Sequence, residues 1–210
     1  HMAFQARVFR FLLFLALVWL PVAASQADDS DLQGLLRDGW TALDNGQLTL
    51  PPDVSAAARF EQVLALDPKN EEAQHGLIAV ATALRVRGMD AYNDGYMRKA
   101  VSFYRQSVAL DPQNAGVLAL LGEAYLGMNE EPQALETFGR AIDIDPKNAN
   151  FLSHYGSAAY RMSDFATAAE AYRRALTIDA DNHGLYRTLA TTYEKMDQWA
   201  DAAASHRRAF

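Results

Sequence analysis

Ala141-Ile142-Asp143-Ile144-Asp145-Pro146-Lys147-Asn148 closes one unit of a recurring pattern. Near-copies end at Asn70, Asn114 and Asn182, and Pro68, Pro112, Pro146 and Ala180 mark the same place at spacings of 44, 34 and 34 residues. Recurrence at a fixed period identifies a repeat array, in which each unit is too small to bury its apolar face alone and does so by stacking on its neighbours. The apolar residues between these marks fall at helical spacing, so each unit reads as a pair of helices. Proline stops the second helix of a unit, and the following asparagine caps the first helix of the next. A second punctuation mark, at Gly46, Gly95, Asn129, Ser163 and Asp197, sits where each pair must turn, at residues that accept or assist a left-handed backbone.

Aligned on their ends, the units also share their interior. The third carries Leu118, Leu121, Gly122, Tyr125, Ala134, Phe138, Ala141 and Pro146. The fourth repeats this as Leu152, Tyr155, Gly156, Ala159, Ala168, Tyr172, Ala175 and Ala180, and the fifth as Tyr186, Leu189, Ala190, Tyr193, Ala202, His206 and Ala209. Gly88, Gly122 and Gly156 are placed for close approach between the helices of one unit. Ala56, Ala100, Ala134, Ala168 and Ala202 serve the same contact from the other side, while Phe60, Tyr104, Phe138 and Tyr172 fill the space between hairpins. This pattern resembles the tetratricopeptide repeat family over residues 32–210. The resemblance implies an all-α fold, a right-handed superhelical solenoid of antiparallel helix hairpins with about five units: 32–70, 71–114, 115–148, 149–182 and 183–210.

Two units are longer than the period. In the first, the stretch Gln47 to Pro52 makes a longer turn between Gly46 and Ala56. In the second, ten additional residues follow Asn70, nearly three turns at 3.6 residues each, which extends the first helix without rotating its apolar stripe far. Glu71 to Asp94 is therefore expected as one helix, with a break near Gly76 as the alternative.

Ahead of the array lies a different kind of sequence. Residues 1–27 contain Arg7, Arg10, the apolar run Phe11 to Val22, small residues from Ala23 to Ala27, and no acid. That is the pattern of a secretory signal peptide, with cleavage expected after Ala27 and after Ala24 as the alternative, or of an N-terminal membrane helix if uncleaved. His1 reads as a cloning scar before Met2, and residues 28–31 as a short linker. The expected location is periplasmic or secreted, with an inner-membrane anchor facing the periplasm as the alternative. Membrane contact would come only through this segment.

Composition narrows the chemistry. The net charge is −7, which argues against nucleic acid as a partner. There is no cysteine for a disulfide framework or a lipid anchor. His75, His154, His183 and His206 are dispersed over four units rather than paired one helical turn apart, so no metal site is expected. Asp143 with Asp145, and Asp179 with Asp181, recur at unit boundaries without a calcium loop's glycine and distal glutamate, and read as helix-end residues. No phosphate loop or nucleophile elbow is present, and no enzyme activity or cofactor is expected.

Function is then sought on a surface. In the tetratricopeptide family the first helices line a concave groove that holds a partner segment. The resemblance places Leu36, Trp40, Leu43, Arg85, Met89 and Tyr92 on the N-terminal part of that groove. It places Glu123, Leu126, Ser153, Ser157, Tyr160, Arg161, Arg187, Thr191 and Glu194 on the remainder. The alternative for Leu36 and Trp40 is packing beneath the long helix of the second unit. The lysine and asparagine set with which some members clamp a terminal carboxylate is not matched. The expected role is a non-catalytic scaffold for a protein or peptide segment in a bacterial envelope assembly, such as a secretion, pilus, polysaccharide or respiratory-maturation system. The alternative is a membrane-tethered structural subunit. Because the array stops within its last helix, self-association through Ala202, Ala209 and Phe210 is also expected.

Overall fold

The computed structural model describes residues 29–209. Among these are ten helices, α1 (Asp29–Asp44), α2 (Ala56–Leu66), α3 (Glu71–Asn93), α4 (Met97–Leu110), α5 (Ala115–Gly127), α6 (Glu131–Ile144), α7 (Ala149–Arg161), α8 (Phe165–Ile178), α9 (His183–Lys195) and α10 (Trp199–Arg208). Each packs against the one before and the one after, giving five hairpins stacked as a superhelical solenoid.

The unit boundary is a small hydrogen-bonded device. Asn70, Asn114, Asn148 and Asn182 each accept a backbone N–H from the next helix through Oδ1, at 3.0 Å from Ala73, 3.2 Å from Val117, 3.4 Å from Phe151 and 3.0 Å from Leu185. Their amide nitrogens donate to Asp67, Asp111, Asp145 and Asp179 at 3.4, 2.9, 3.2 and 2.9 Å. The same aspartates close the preceding helix with their own backbone N–H groups. Both helix ends are thus satisfied within four residues. The fourth boundary keeps this geometry with Ala180 where the others have proline, so the Asp–Asn pair rather than the ring sets the corner. The turns inside each hairpin also follow expectation, with Gly46, Gly95, Asn129, Ser163 and Asp197 all at φ between 56° and 81°.

The recurring glycines are more specific than close backbone approach requires. A Cβ on Gly88 would stand 2.4 Å from the Tyr104 ring, on Gly122 2.7 Å from Phe138, and on Gly156 2.6 Å from Tyr172. Each glycine is the seat of the aromatic ring of its own second helix. Phe60 is held from two sides, by Gly39 of α1 and by Gly76 of α3, where a Cβ would come within 2.7 and 2.5 Å. Gly76 accordingly does not break α3, which runs unbroken from Glu71 to Asn93. The fifth unit changes both members of the pair: Ala190 occupies the glycine position and His206 the ring position. His206 turns partly outward to Glu194 Oε1 at 3.0 Å instead of filling the core.

Two expectations are corrected. Asp29–Asp31 form the first turn of α1, where their carboxylates favour the positive helix end, rather than a linker. Leu36, expected in the groove, is only 2 % exposed, packed in a core cluster shared by α1, α2 and α3. Ala202 and Ala209, two of the three residues of the expected self-association face, are buried in the hairpin of α9 and α10. Residues 1–28, with the expected signal segment, and Phe210 lie outside the described residues. Among the described residues, no helix is long and apolar enough to cross a membrane.

The ring seats predict opposite outcomes for two glycines. Gly76→Ala should destabilise by about 1–3 kcal/mol, because Phe60 cannot retreat into Gly39, and this exceeds the helix-propensity gain of about 1 kcal/mol. Gly34→Ala, with nothing within 4 Å of the added carbon, should stabilise by roughly 0.5–1 kcal/mol. Thermal melts decide, and a Gly76→Ala melting point at or above the parent's would remove the ring from this seat.

Candidate functional site

Direct contact between alternate elements is made on the side of the first helices, α1 with α3 and α5 with α7. The first helices therefore crowd together and form the inner face. The seating of rings beneath them dictates which of their side chains remain above.

At the N-terminal end the fold consumes much of what the sequence offers. Trp40 packs edge-on against Phe60 with centroids 5.1 Å apart, and its Nε1 donates to Glu72 Oε1 at 3.0 Å. It is half-buried between its own hairpin and the extension of α3. Leu43 is likewise half-buried and packs against the first core cluster. Beyond them, Arg85 Nη1 lies 3.3 Å from Met89 Sδ, a weak acceptor, and has no ion pair among the described residues. Met89 is 37 % exposed and Tyr92 half-buried.

In the middle, Glu123 Oε1 faces His154 Nε2 at 3.6 Å, and the His154 ring stacks on Phe138 at 5.3 Å and 15°. Arg161 is a brace rather than a free anchor. Its Nη1 donates to the Leu126 carbonyl at 2.7 Å, its Nη2 to Asn129 Oδ1 at 3.5 Å, and its Nε lies 3.8 Å from Glu131. Tyr160 stands edge-on to Phe165 at 5.3 Å and keeps part of its ring on the surface, beside half-buried Ser153 and Ser157. At the C-terminal end Thr191 bonds the Arg187 carbonyl at 3.1 Å and Glu194 holds His206. The Arg187 guanidinium is exposed and has no ion pair among the described residues.

Two tyrosines and one histidine of this face were not singled out from sequence as site residues. Tyr104 and Tyr172 are nearly fully buried, yet their hydroxyls reach up between the first helices. Tyr172 donates to Ser157 Oγ at 3.3 Å. In the second unit Met89 occupies the place of Ser157, and the Tyr104 hydroxyl has no partner among the described residues. Burial, and after it the Glu123 carboxylate and Tyr92, push Tyr104 up to about 12 against the partial relief of Arg85. Tyr172 is also raised by burial, less so because of Ser157. The signal for both lay in the alternation Phe60, Tyr104, Phe138, Tyr172, since a buried tyrosine asks for an acceptor that phenylalanine does not. His154 had no such signal, because its stacking partner comes from another unit. Among the described residues, no three His, Asp or Glu side chains converge on a metal position.

A five-hairpin stack with this corner chemistry belongs to the helical repeat scaffolds. Family models described as tetratricopeptide repeat match residues 94–155 and 149–182, so the middle hairpins of the array are tetratricopeptide repeats. No curated protein matches the sequence. Among solved structures, a crystal structure of MamA is 22 % identical with a TM-score of 0.57, covering 81 % of this chain and 91 % of that one. MamA from AMB-1 gives 21 % and 0.57, with 87 % and 91 % covered. The first TPR of Spaghetti (RPAP3), bound to the HSP90 peptide SRMEEVD, gives 19 % and 0.54, with 56 % and 93 % covered. At these identities the likeness is one of fold.

The unequal hydroxyls yield a paired prediction. Tyr172→Phe should cost about 0.5–1.5 kcal/mol by losing the bond to Ser157, whereas Tyr104→Phe should be neutral or stabilising. Because the folded pKa of Tyr104 is raised, its contribution is fully present below pH 10 and is lost as pH rises towards about 12. Denaturant titrations of both variants across that window test this. An equal cost for the two substitutions would contradict the geometry.

Proposed function

We propose that the protein is a non-catalytic protein–protein interaction scaffold that holds a partner segment along its inner face. The observation that carries this reading is that Tyr92, Tyr160 and Arg187, from the first helices α3, α7 and α9, stay at least partly exposed on one face while their neighbours are committed to the fold. Tyrosine and arginine are the side chains most often found as anchors of such interfaces. The solved neighbour bound to a peptide supports this mode of use for the fold.

The location proposed is the bacterial envelope, periplasmic or secreted, with the protein serving an assembly of that compartment. The basic, then apolar, then small-residue order of residues 1–27 supports it. The alternative, a tethered structural subunit, keeps that segment.

Tyr92→Ala and Tyr160→Ala should each weaken partner binding by about 1–3 kcal/mol, a factor of roughly five to 150, with unchanged circular dichroism. Titration against the partner recovered from the envelope measures this, and unchanged affinity in both would move the site off the inner face. Expressed with its full N-terminus, the exported protein should begin at Asp28. An intact N-terminus in the membrane fraction would favour the tethered alternative.

A further inference from the structure

The outer face, formed by the second helices, carries a feature that the inner-face reading does not use. From Gly95 to Leu110 the chain has no acidic residue, although its net charge is −7. On α4, Arg98, Val101, Arg105 and Val108 follow one another at spacings of three and four residues and so form one stripe along one side of the helix. That stripe is a wall of a concavity of about 810 Å³, whose other wall is α6 with Gln133, Thr137 and Arg140. Its floor is apolar, with Leu121 buried and Tyr125 and Met128 half-buried. Two further concavities, of about 530 and 420 Å³, also adjoin Arg98.

Arg98, Arg105 and Arg140 are all exposed and make no ion pair or hydrogen bond among the described residues. Glu130 and Glu136 stand on the α6 wall, also without ion pairs, and leave three positive charges against two negative. Those two carboxylates repel a polyanion such as nucleic acid. A segment that alternates apolar side chains with isolated carboxylates suits the groove better. Its apolar groups cover Val101, Tyr125 and Met128, and its carboxylates reach the arginines, whose fork geometry favours them. Arg98 and Arg105 are two helical turns apart, roughly 10 Å, which matches acids seven residues apart on a partner helix.

We propose that the groove between α4 and α6 is a second docking site, for an acidic amphipathic segment of a partner protein. The scaffold then joins two partners, one on each face. The site does not depend on the inner face being occupied.

The probe is a fluorescein-labelled amphipathic helical peptide with leucine on its apolar face and two glutamates seven residues apart on an otherwise uncharged polar face, read by anisotropy against the whole protein. It should bind the parent, weaken at least tenfold with Arg98→Glu/Arg105→Glu, and keep its affinity with Tyr160→Ala. Raised salt should also weaken it, since exposed pairs are screened. The substituted arginines are exposed, and circular dichroism confirms that the variant is folded. The proposal is overturned by no binding by the parent, equal binding by the charge-reversed variant, equal binding of the same peptide with lysine in place of glutamate, or loss on Tyr160→Ala instead. The last would place the acidic segment on the inner face and leave the proposed function standing. A concentration-dependent dimer that Arg98→Glu/Arg105→Glu abolishes would assign the groove to a second copy and likewise sink the partner assignment. Binding to phosphatidylglycerol vesicles without binding to the peptide would do the same in favour of a membrane.

Discussion

The seating of one aromatic ring on one glycine per hairpin is the contact on which the rest of the array depends. Phe60, Tyr104, Phe138 and Tyr172 are each at most 1 % exposed, and each lies where a Cβ on the facing glycine would overlap the ring. Truncating such a ring removes about 3–5 kcal/mol from a stability that is only about 5–15 kcal/mol for a typical domain. The pair also fixes the distance and rotation between the two helices, since neither partner has room to shift. The fifth unit shows the coupling by exception. Ala190 has the methyl group that the other seats exclude, and the residue opposite is His206, smaller and drawn to Glu194.

With the hairpins rigid, the two faces of the solenoid acquire different chemistry. The inner face is built from first helices and is partly used by the fold itself, through Trp40 on Glu72 and Arg161 on the Leu126 carbonyl. What stays available there is aromatic and cationic but scattered. The outer face keeps its second helices apart, and the space between α4 and α6 stays open because α5 packs beneath them. Opposed surfaces of this kind follow from stacking alone, as each unit contacts only its neighbours and leaves both long sides of the array exposed.

Much of the architecture was legible in the order of residues because its determinants are local. Asp145 and Asn148 bond each other and the helix ends on either side, and Asn129, Ser163 and Asp197 adopt the left-handed backbone that their place predicts. The uninterrupted α3 followed from ten extra residues at helical periodicity. The candidate site was legible only as positions. Leu36, Trp40 and Arg161 stood on the expected face, but whether each remained free depended on another unit, as with Glu72, 32 positions from Trp40, and Leu126, 35 positions from Arg161. The same reach explains why the stacking of His154 on Phe138 gave no signal in the sequence.

By itself, then, the sequence determined the period, the helix boundaries, the turns and the acidic balance, all of which rest on hydrogen bonds closing within about four residues or on simple composition. The tertiary structure alone decided that Gly76 seats Phe60, and that Leu36 is buried where α1 meets α3. It also decided that Tyr104 buries an unpaired hydroxyl while Tyr172 does not, and that Arg98, Arg105 and Arg140 from two units share one groove. The reason is physical: burial and charge environment are set by which elements stack, and stacking brings together residues whose separation along the chain carries no local constraint.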